Sequence, residues 1–200
     1  MSGMERTTIE PASGDALVIV DVQNDFLPGG ALAVPESDQI LPFVNTYIAT
    51  FEKRRLPIYM TRDWHPPDHC SFKESGGPWP THCVAGTHGA AFSEKLKFNS
   101  SFTVVSKATN PKVDAYSDFS TTSFEPSLRA AGVSRLFVCG LATDYCVFNT
   151  VKDALSLGFK TYLLLDAIRG VNVQPDDSQK AEQEMIRLGA TPIKLQDLAM

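Results

Sequence analysis

Apolar positions along the chain fall into two recurring patterns. Short runs without polar interruption, ALVIV (16–20), PIYM (57–60), FTVVS (102–106), RLFVC (135–139) and TYLLL (161–165), end at a turn or a polar residue. Runs of this length and β-branched content predict strands buried on both faces, as in a parallel sheet. Between them, apolar residues recur at helical spacing over 35–55, 123–131, 144–157 and 176–189, with Gly132, Gly158 and Gly189 placed as stops. A last short strand is predicted at 191–194. Parallel neighbours need crossover connections, so the alternation predicts an α/β fold: a doubly wound three-layer α/β/α domain around a six-stranded, mostly parallel sheet. The expectation is one domain over 1–200, with 1–15 as a peripheral N-terminal extension.

One stretch breaks the rhythm. Residues 62–100 carry Pro66, Pro67, Pro78, Pro80, Gly76, Gly77, Gly86 and Gly89 and show no helical period. A loop that long inside a compact domain usually serves function, and ligands of such sheets bind at the carboxyl ends of the strands.

Composition narrows the partners. The chain has 200 residues, 43% of them hydrophobic, enough for a substantial core. A net charge of -5 leaves no basic surface for nucleic acid or an anionic membrane and suits a small neutral ligand. No window approaches the roughly 20 apolar residues of a membrane helix, and no leader pattern opens the chain, so a soluble cytoplasmic protein is expected. Four cysteines (Cys70, Cys83, Cys139, Cys146) then read as reduced thiols. No glycine-rich dinucleotide fingerprint is present, so a nicotinamide or flavin cofactor held in the usual way is not indicated.

Two of the thiols lie in LFVCGLATDYCVF (136–148). Cys139 sits inside a strand run and reads as a small buried hydrophobe. Cys146 precedes the amphipathic pattern Val147, Val151, Ala154, Leu155, with Thr143 as a candidate cap, which places its sulfur in a first helical turn. There the helix dipole favours a thiolate and free backbone N–H groups can face an oxyanion. Asp21 ends the first strand and Lys107 the third, on the same sheet edge as Cys146. A carboxylate can take a thiol proton and an ammonium can hold both partners in charged form. Each also has a plain reading: a buried cysteine, a turn cap, a solvated strand end. No histidine sits at a strand end, so a Cys-His pair does not fit.

All four histidines, His65, His69, His82 and His88, fall in the long loop, which opens RDWH from Arg62. In an extended stretch Asp63 and His65 point the same way, so with His82 they can offer a carboxylate and two imidazoles to one metal, with His69 as a further candidate. Such a set suits zinc, iron or manganese. The rivals are a closed structural zinc using Cys70 or Cys83, and no metal at all. His88 reads as a surface residue. Phe26, Trp79 and Tyr116 are candidates for the wall of a pocket for a flat ring, or plain core.

These residues resemble the isochorismatase-like cysteine hydrolases. The resemblance runs from about Ala16 to Gly170 and rests on VDVQNDFLPGGALAV, TRDWHPPDHCSF, WPTHCVAGTHGAAF, SKATNPKVDAYSDF and GLATDYCVFNTVKDAL, in that order. It implies Asp21, Lys107 and Cys146 as a catalytic triad and Asp63, His65 and His82 as ligands of one divalent metal, zinc foremost. It also implies a cis peptide between Leu141 and Ala142, with the N–H groups of Ala142 and Cys146 forming an oxyanion hole. Ala108 stands where relatives often carry glycine. The implied activity is hydrolysis of nicotinamide to nicotinic acid and ammonia through a thioester, with the ring bound by the metal and by Phe26, Trp79 and Tyr116. Family members often oligomerise. Three alternatives remain open: another small amide, the vinyl ether of isochorismate, or a metal-stapled binding module without catalysis.

Overall fold

A computed structural model describes residues 8–199. Residues 1–7, half of the expected N-terminal extension, lie outside the described residues.

The six runs form one sheet. Its strands are β1 (Asp15–Val20), β2 (Ile58–Asp63), β3 (Thr103–Lys107), β4 (Arg135–Leu141), β5 (Lys160–Arg169) and β6 (Thr191–Ile193), in the order β3-β2-β1-β4-β5-β6. Every neighbouring pair is parallel. The chain builds outward from β1 to β3, then returns to lay β4 against the other side of β1. The carboxyl ends of β1 and β4 therefore flank the point where the winding reverses, where a crevice opens for a ligand.

Side-chain alternation divides β1 and β4 between two cores. Leu17, Ile19, Phe137 and Cys139 face one layer; Ala16, Val18, Leu136 and Val138 face the other. The first layer is α1 (Leu41–Lys53), whose Leu41, Val44, Ile48 and Phe51 recur on one stripe and all lie buried. Each such side chain stabilises the fold by roughly 1.5–3 kcal/mol on burial. The second layer is α2 (Phe124–Ala130), α3 (Phe148–Ser156) and α4 (Asp177–Arg187), which bury Phe124, Leu128, Val151, Ala154 and Met185. Among the described residues, no helix is long and apolar enough to cross a membrane.

Several boundaries differ from the sequence reading, each for a local reason. The helix expected over 35–55 begins only at Leu41, because residues 37–40 wind as a tighter 3-10 turn before the proline at its start. β5 runs past the polar Asp166 to Arg169, since that carboxylate is satisfied by the Tyr47 hydroxyl at 2.8 Å and the Leu195 N–H at 2.7 Å. Thr143 does not cap a helix; it opens a π-turn, Thr143–Val147, that leads into α3. Ile9 is bridged to Leu198, which ties the start of the described chain to its end.

One glycine sets the central crossing. A Cβ on Gly140 would lie 2.0 Å from the carbonyl oxygen of Val20, and its φ of 112° is itself one that side chains avoid. Only glycine lets β4 approach β1 this closely at the strand ends that carry the site.

Candidate active site

Three strand ends and one turn deliver the charged groups. Asp21 follows β1, Asp63 and Lys107 end β2 and β3 directly opposite each other in register, and Cys146 lies in the π-turn after β4. The Lys107 ammonium is buried and touches three carboxylates. It contacts Asp21 most closely, Asp63 at 3.1 Å and Asp118 at 3.3 Å. The polar atoms of Asp21 and Asp63 and the sulfur of Cys146 all lie within 4.8 Å of one another. The structure thus brings Asp21, Lys107 and Cys146 together.

Charge in this cluster is unbalanced: one ammonium faces three carboxyls, all buried from solvent. Burial raises the Asp21 carboxyl, Lys107 only partly offsets it, and Asp63 and Asp118 add to the rise, leaving it at about 7. Burial also raises Asp118 against the pull of Lys107. Asp63 differs, because Lys107 and His65 outweigh its burial and hold its carboxyl below the usual range. For Lys107, burial disfavours the charge but Asp21 and Asp63 prevail and keep the ammonium protonated. Burial pushes the Cys146 thiol well up, Lys107 opposes this, and the three carboxylates reinforce it. The resting pair is therefore a thiol beside a proton acceptor, not the thiolate that the helix dipole alone would suggest. Cys139, buried and bonded through its sulfur to the Val18 carbonyl, is pushed up by burial as well.

The loop supplies the second half. Asp63, His65 and His82 offer three donor atoms within 4.8 Å of one another, all buried. His65 turns Nδ1 to the Ala108 carbonyl at 3.3 Å and His82 turns Nδ1 to the Pro80 carbonyl at 2.7 Å. Each Nε2 is then left for another partner. The buried Nε2 of His65 has no hydrogen bond and lies 3.6 Å from an Asp63 oxygen. Burial keeps His82 neutral, the ligating form. An orphaned imidazole nitrogen beside a carboxylate and a second imidazole fits a divalent metal, with the Nδ1 contacts orienting the ligands. His69 is placed differently. It stacks on His65 with ring centroids 4.2 Å apart, but its nitrogens contact the Ser71 hydroxyl at 2.7 Å and the Val113 carbonyl at 3.2 Å. Among the described residues, neither Cys70 nor Cys83 joins a metal-binding group. His88 is exposed.

Between the two halves lies a small cavity, open on one side, lined by Phe26, Trp79, Tyr116, Ala142, Cys146 and the metal-type residues. Trp79 donates its indole N–H to the Tyr116 hydroxyl at 2.9 Å, and burial raises that phenol to about 12. The peptide between Leu141 and Ala142 is cis. Ala108 sits at φ 51°, a region glycine enters freely and side-chain-bearing residues seldom do.

The sequence reading missed three residues of this region. Tyr145 packs edge-on to Trp79 at 5.0 Å and completes the aromatic wall. Gln23 is wholly buried; it donates to the carbonyls of Asp63 and Ala90 and accepts the Asp63 N–H, all at 2.8–2.9 Å, so it fastens β2 to the loop. Asp118 is the third carboxylate on Lys107. Gln23, Tyr145 and Asp118 sit within two positions of Asp21, Cys146 and Tyr116 respectively in the matching blocks, a signal that adjacency could have supplied.

A parallel sheet with a thiol, a carboxyl and an ammonium gathered at its switch point, opening on an apolar cavity, is the architecture of an α/β enzyme. The isochorismatase domain model matches residues 15–197, and the chain belongs to that family. It is similar to the nicotinamidase of Escherichia coli strain K12, 41% identical over 203 aligned positions that cover 91% of this chain and 95% of that one. Among solved structures it resembles the pyrazinamidase of Pyrococcus horikoshii in complex with zinc, at 47% identity and a TM-score of 0.87, covering 91% of this chain and 99% of that one. It also resembles PnC1 of L. infantum in complex with nicotinate, at 34% identity and a TM-score of 0.89, covering 96% and 98%. With relatives of this kind the chain is an amidohydrolase.

Proposed function

We propose that the protein hydrolyses nicotinamide to nicotinic acid and ammonia, with Cys146 as nucleophile. The observation that carries this reading is the buried set Asp21, Lys107 and Cys146, whose cysteine lines a cavity walled by Phe26, Trp79 and Tyr116. The names of the relatives support it, since they act on or hold pyridine or pyrazine carboxamides and their acids by title.

As the Cys146 sulfur attacks the amide carbon, its proton passes to Asp21. The carbonyl oxygen takes the electron pair of the C=O bond, and the N–H groups of Ala142 and Cys146 would donate to it. Asp21 then returns the proton to the amide nitrogen, the C–N bond breaks and ammonia leaves a thioester. Water adds to that carbon while giving a proton to Asp21; the C–S bond breaks, the proton returns to sulfur, and nicotinic acid departs. Lys107 keeps Asp21 oriented throughout. The aromatic walls fix the ring so that the amide stays against the thiol. Asp63, His65 and His82 would hold a divalent ion, zinc by analogy with the Pyrococcus horikoshii structure. When bound, the ion would supply a Lewis-acidic anchor for a ring nitrogen and offset the charge of Asp63. The four free thiols accord with a cytoplasmic setting.

The test is ammonia release from nicotinamide, with pyrazinamide and aliphatic amides alongside. Cys146→Ala is expected to lower kcat by about a thousandfold or more while leaving nicotinamide binding intact. Parental turnover in that variant would remove the nucleophile from the scheme, and preference for an aliphatic amide would replace the substrate.

A further inference from the structure

We propose that Asp118 is a positioning residue for the reaction: it anchors the Lys107 ammonium, so that Lys107 stays seated between Asp21 and Cys146. The inference rests on the reading of Asp21, Lys107 and Cys146 as the machinery. Asp118 is wholly buried, and its Oδ1 lies 3.3 Å from Lys107 Nζ. Its own position is fixed from α3, because the Asp118 N–H donates to the buried Thr150 hydroxyl at 3.0 Å. It does not line the cavity, so it has no contact to make with substrate.

An ammonium has three N–H groups, and here three carboxylates compete for them. Asp63 faces Lys107 through Oδ1 and His65 through Oδ2, so a metal on Asp63 would offset part of that carboxylate's charge and leave Asp21 as the ammonium's main partner unless another anion holds it. Asp118 is that anion. The groups that face it come from the packed elements: Lys107 on β3, Asp21 after β1, the Thr61 hydroxyl on β2, Cys146 on the turn beyond β4 and Thr150 on the helix that follows. Its negative charge reaches the Cys146 sulfur as well and adds to the upward push on that thiol. Removing the charge therefore favours the thiolate even as it loosens the lysine. These two effects have opposite signs on reactivity, which makes them separable.

The experiment compares Asp118→Asn, which keeps shape and an acceptor but no charge, with Asp118→Ala, which keeps neither. Each is assayed for kcat and KM with nicotinamide, and for the pH midpoint of iodoacetamide labelling of Cys146, read by peptide mass spectrometry. The expected result is a kcat about tenfold lower in Asp118→Ala, a smaller fall in Asp118→Asn, KM within twofold of the parent in both, and a labelling midpoint moved by about half a pH unit or more, downward where loss of the Asp118 charge dominates and upward where the loosened Lys107 does. A residue that only packs the loop would leave the midpoint where it was. Parental kcat with an unmoved midpoint overturns the proposal, as does a change confined to KM. If Asp118→Ala does not fold, the near-isosteric Asp118→Asn decides alone. Failure of the underlying reading looks different: an active Cys146→Ala variant, whatever Asp118 does.

Discussion

Asp21 is wholly buried, with two other carboxyls near it and a single ammonium to balance them. Its carboxyl is raised to about 7, and the sign of the consequence follows from its task. It must be ionised to receive the Cys146 proton, so kcat/KM is expected to climb with pH through about 7 and then level, falling about tenfold per unit on the acid side. Asp21→Asn should abolish that limb and cost about a hundredfold or more in kcat; a pH–rate profile of parent and variant checks both. The convergence of Asp21 and Lys107 was legible in the sequence because strand ends are countable: an aspartate after ALVIV and a lysine after FTVVS must share an edge once the sheet is parallel. The protonation state was not. The helix dipole is a local feature of the chain, whereas the three carboxylates that overrule it come from β1, β2 and a loop, and only folding brings them to one ammonium. The pairing of Asp118 with Lys107 escaped notice for the same reason, since nothing in AYSDF points at residue 107.

Elements position these groups through a few contacts that admit no substitute. Gly140→Ala would drive a methyl into the Val20 carbonyl and force a strained φ, so a loss of about 3 kcal/mol or more is expected, seen as a lowered denaturation midpoint. Gln23 makes a gentler case. Replacing it by Leu keeps most of its volume but strips partners from the buried N–H and carbonyl of Asp63, at about 1–3 kcal/mol for each unsatisfied group. Because those groups belong to the strand end that carries the Asp63 carboxylate, Gln23→Leu should weaken metal binding along with stability; a zinc titration that matches the parent would show that the fastening is not needed. The strands were readable because a strand buried on both faces must be a continuous apolar run, and each begins within a residue of expectation. The path of the long loop was not, since its order comes from side chains such as Gln23 and Asp25 reaching in from the β1 end, and from Asp25 taking the Cys83 N–H at 2.7 Å. Proline and glycine content signals that a segment is irregular without saying where it goes.

On the scale of the whole molecule, the loop and the sheet meet through the donor set of Asp63, His65 and His82, so an ion bound there should join them energetically as well as chemically. Asp63 belongs to β2, and its carboxylate is shared between Lys107 and the imidazoles. A ligand that binds the folded chain and not the unfolded one stabilises it by mass action. At a thousand times its dissociation constant, zinc should therefore raise the melting temperature by roughly 10 °C, and a chelator should reverse this. The direction of the pH effect is also fixed. Burial keeps His82 neutral, so protonation does not compete with the ion until the pH falls below the ordinary histidine range. The zinc-dependent shift in melting temperature should accordingly shrink as the solution is acidified and vanish once the imidazole ligands are protonated. His82→Ala removes one of three donors without touching Lys107, so it should melt near the metal-free parent, respond little to added zinc, and bind nicotinamide less tightly while retaining a Cys146 that still labels. A His82→Ala protein stabilised by zinc as fully as the parent would place the ion elsewhere and separate the loop's histidines from the ring-binding role.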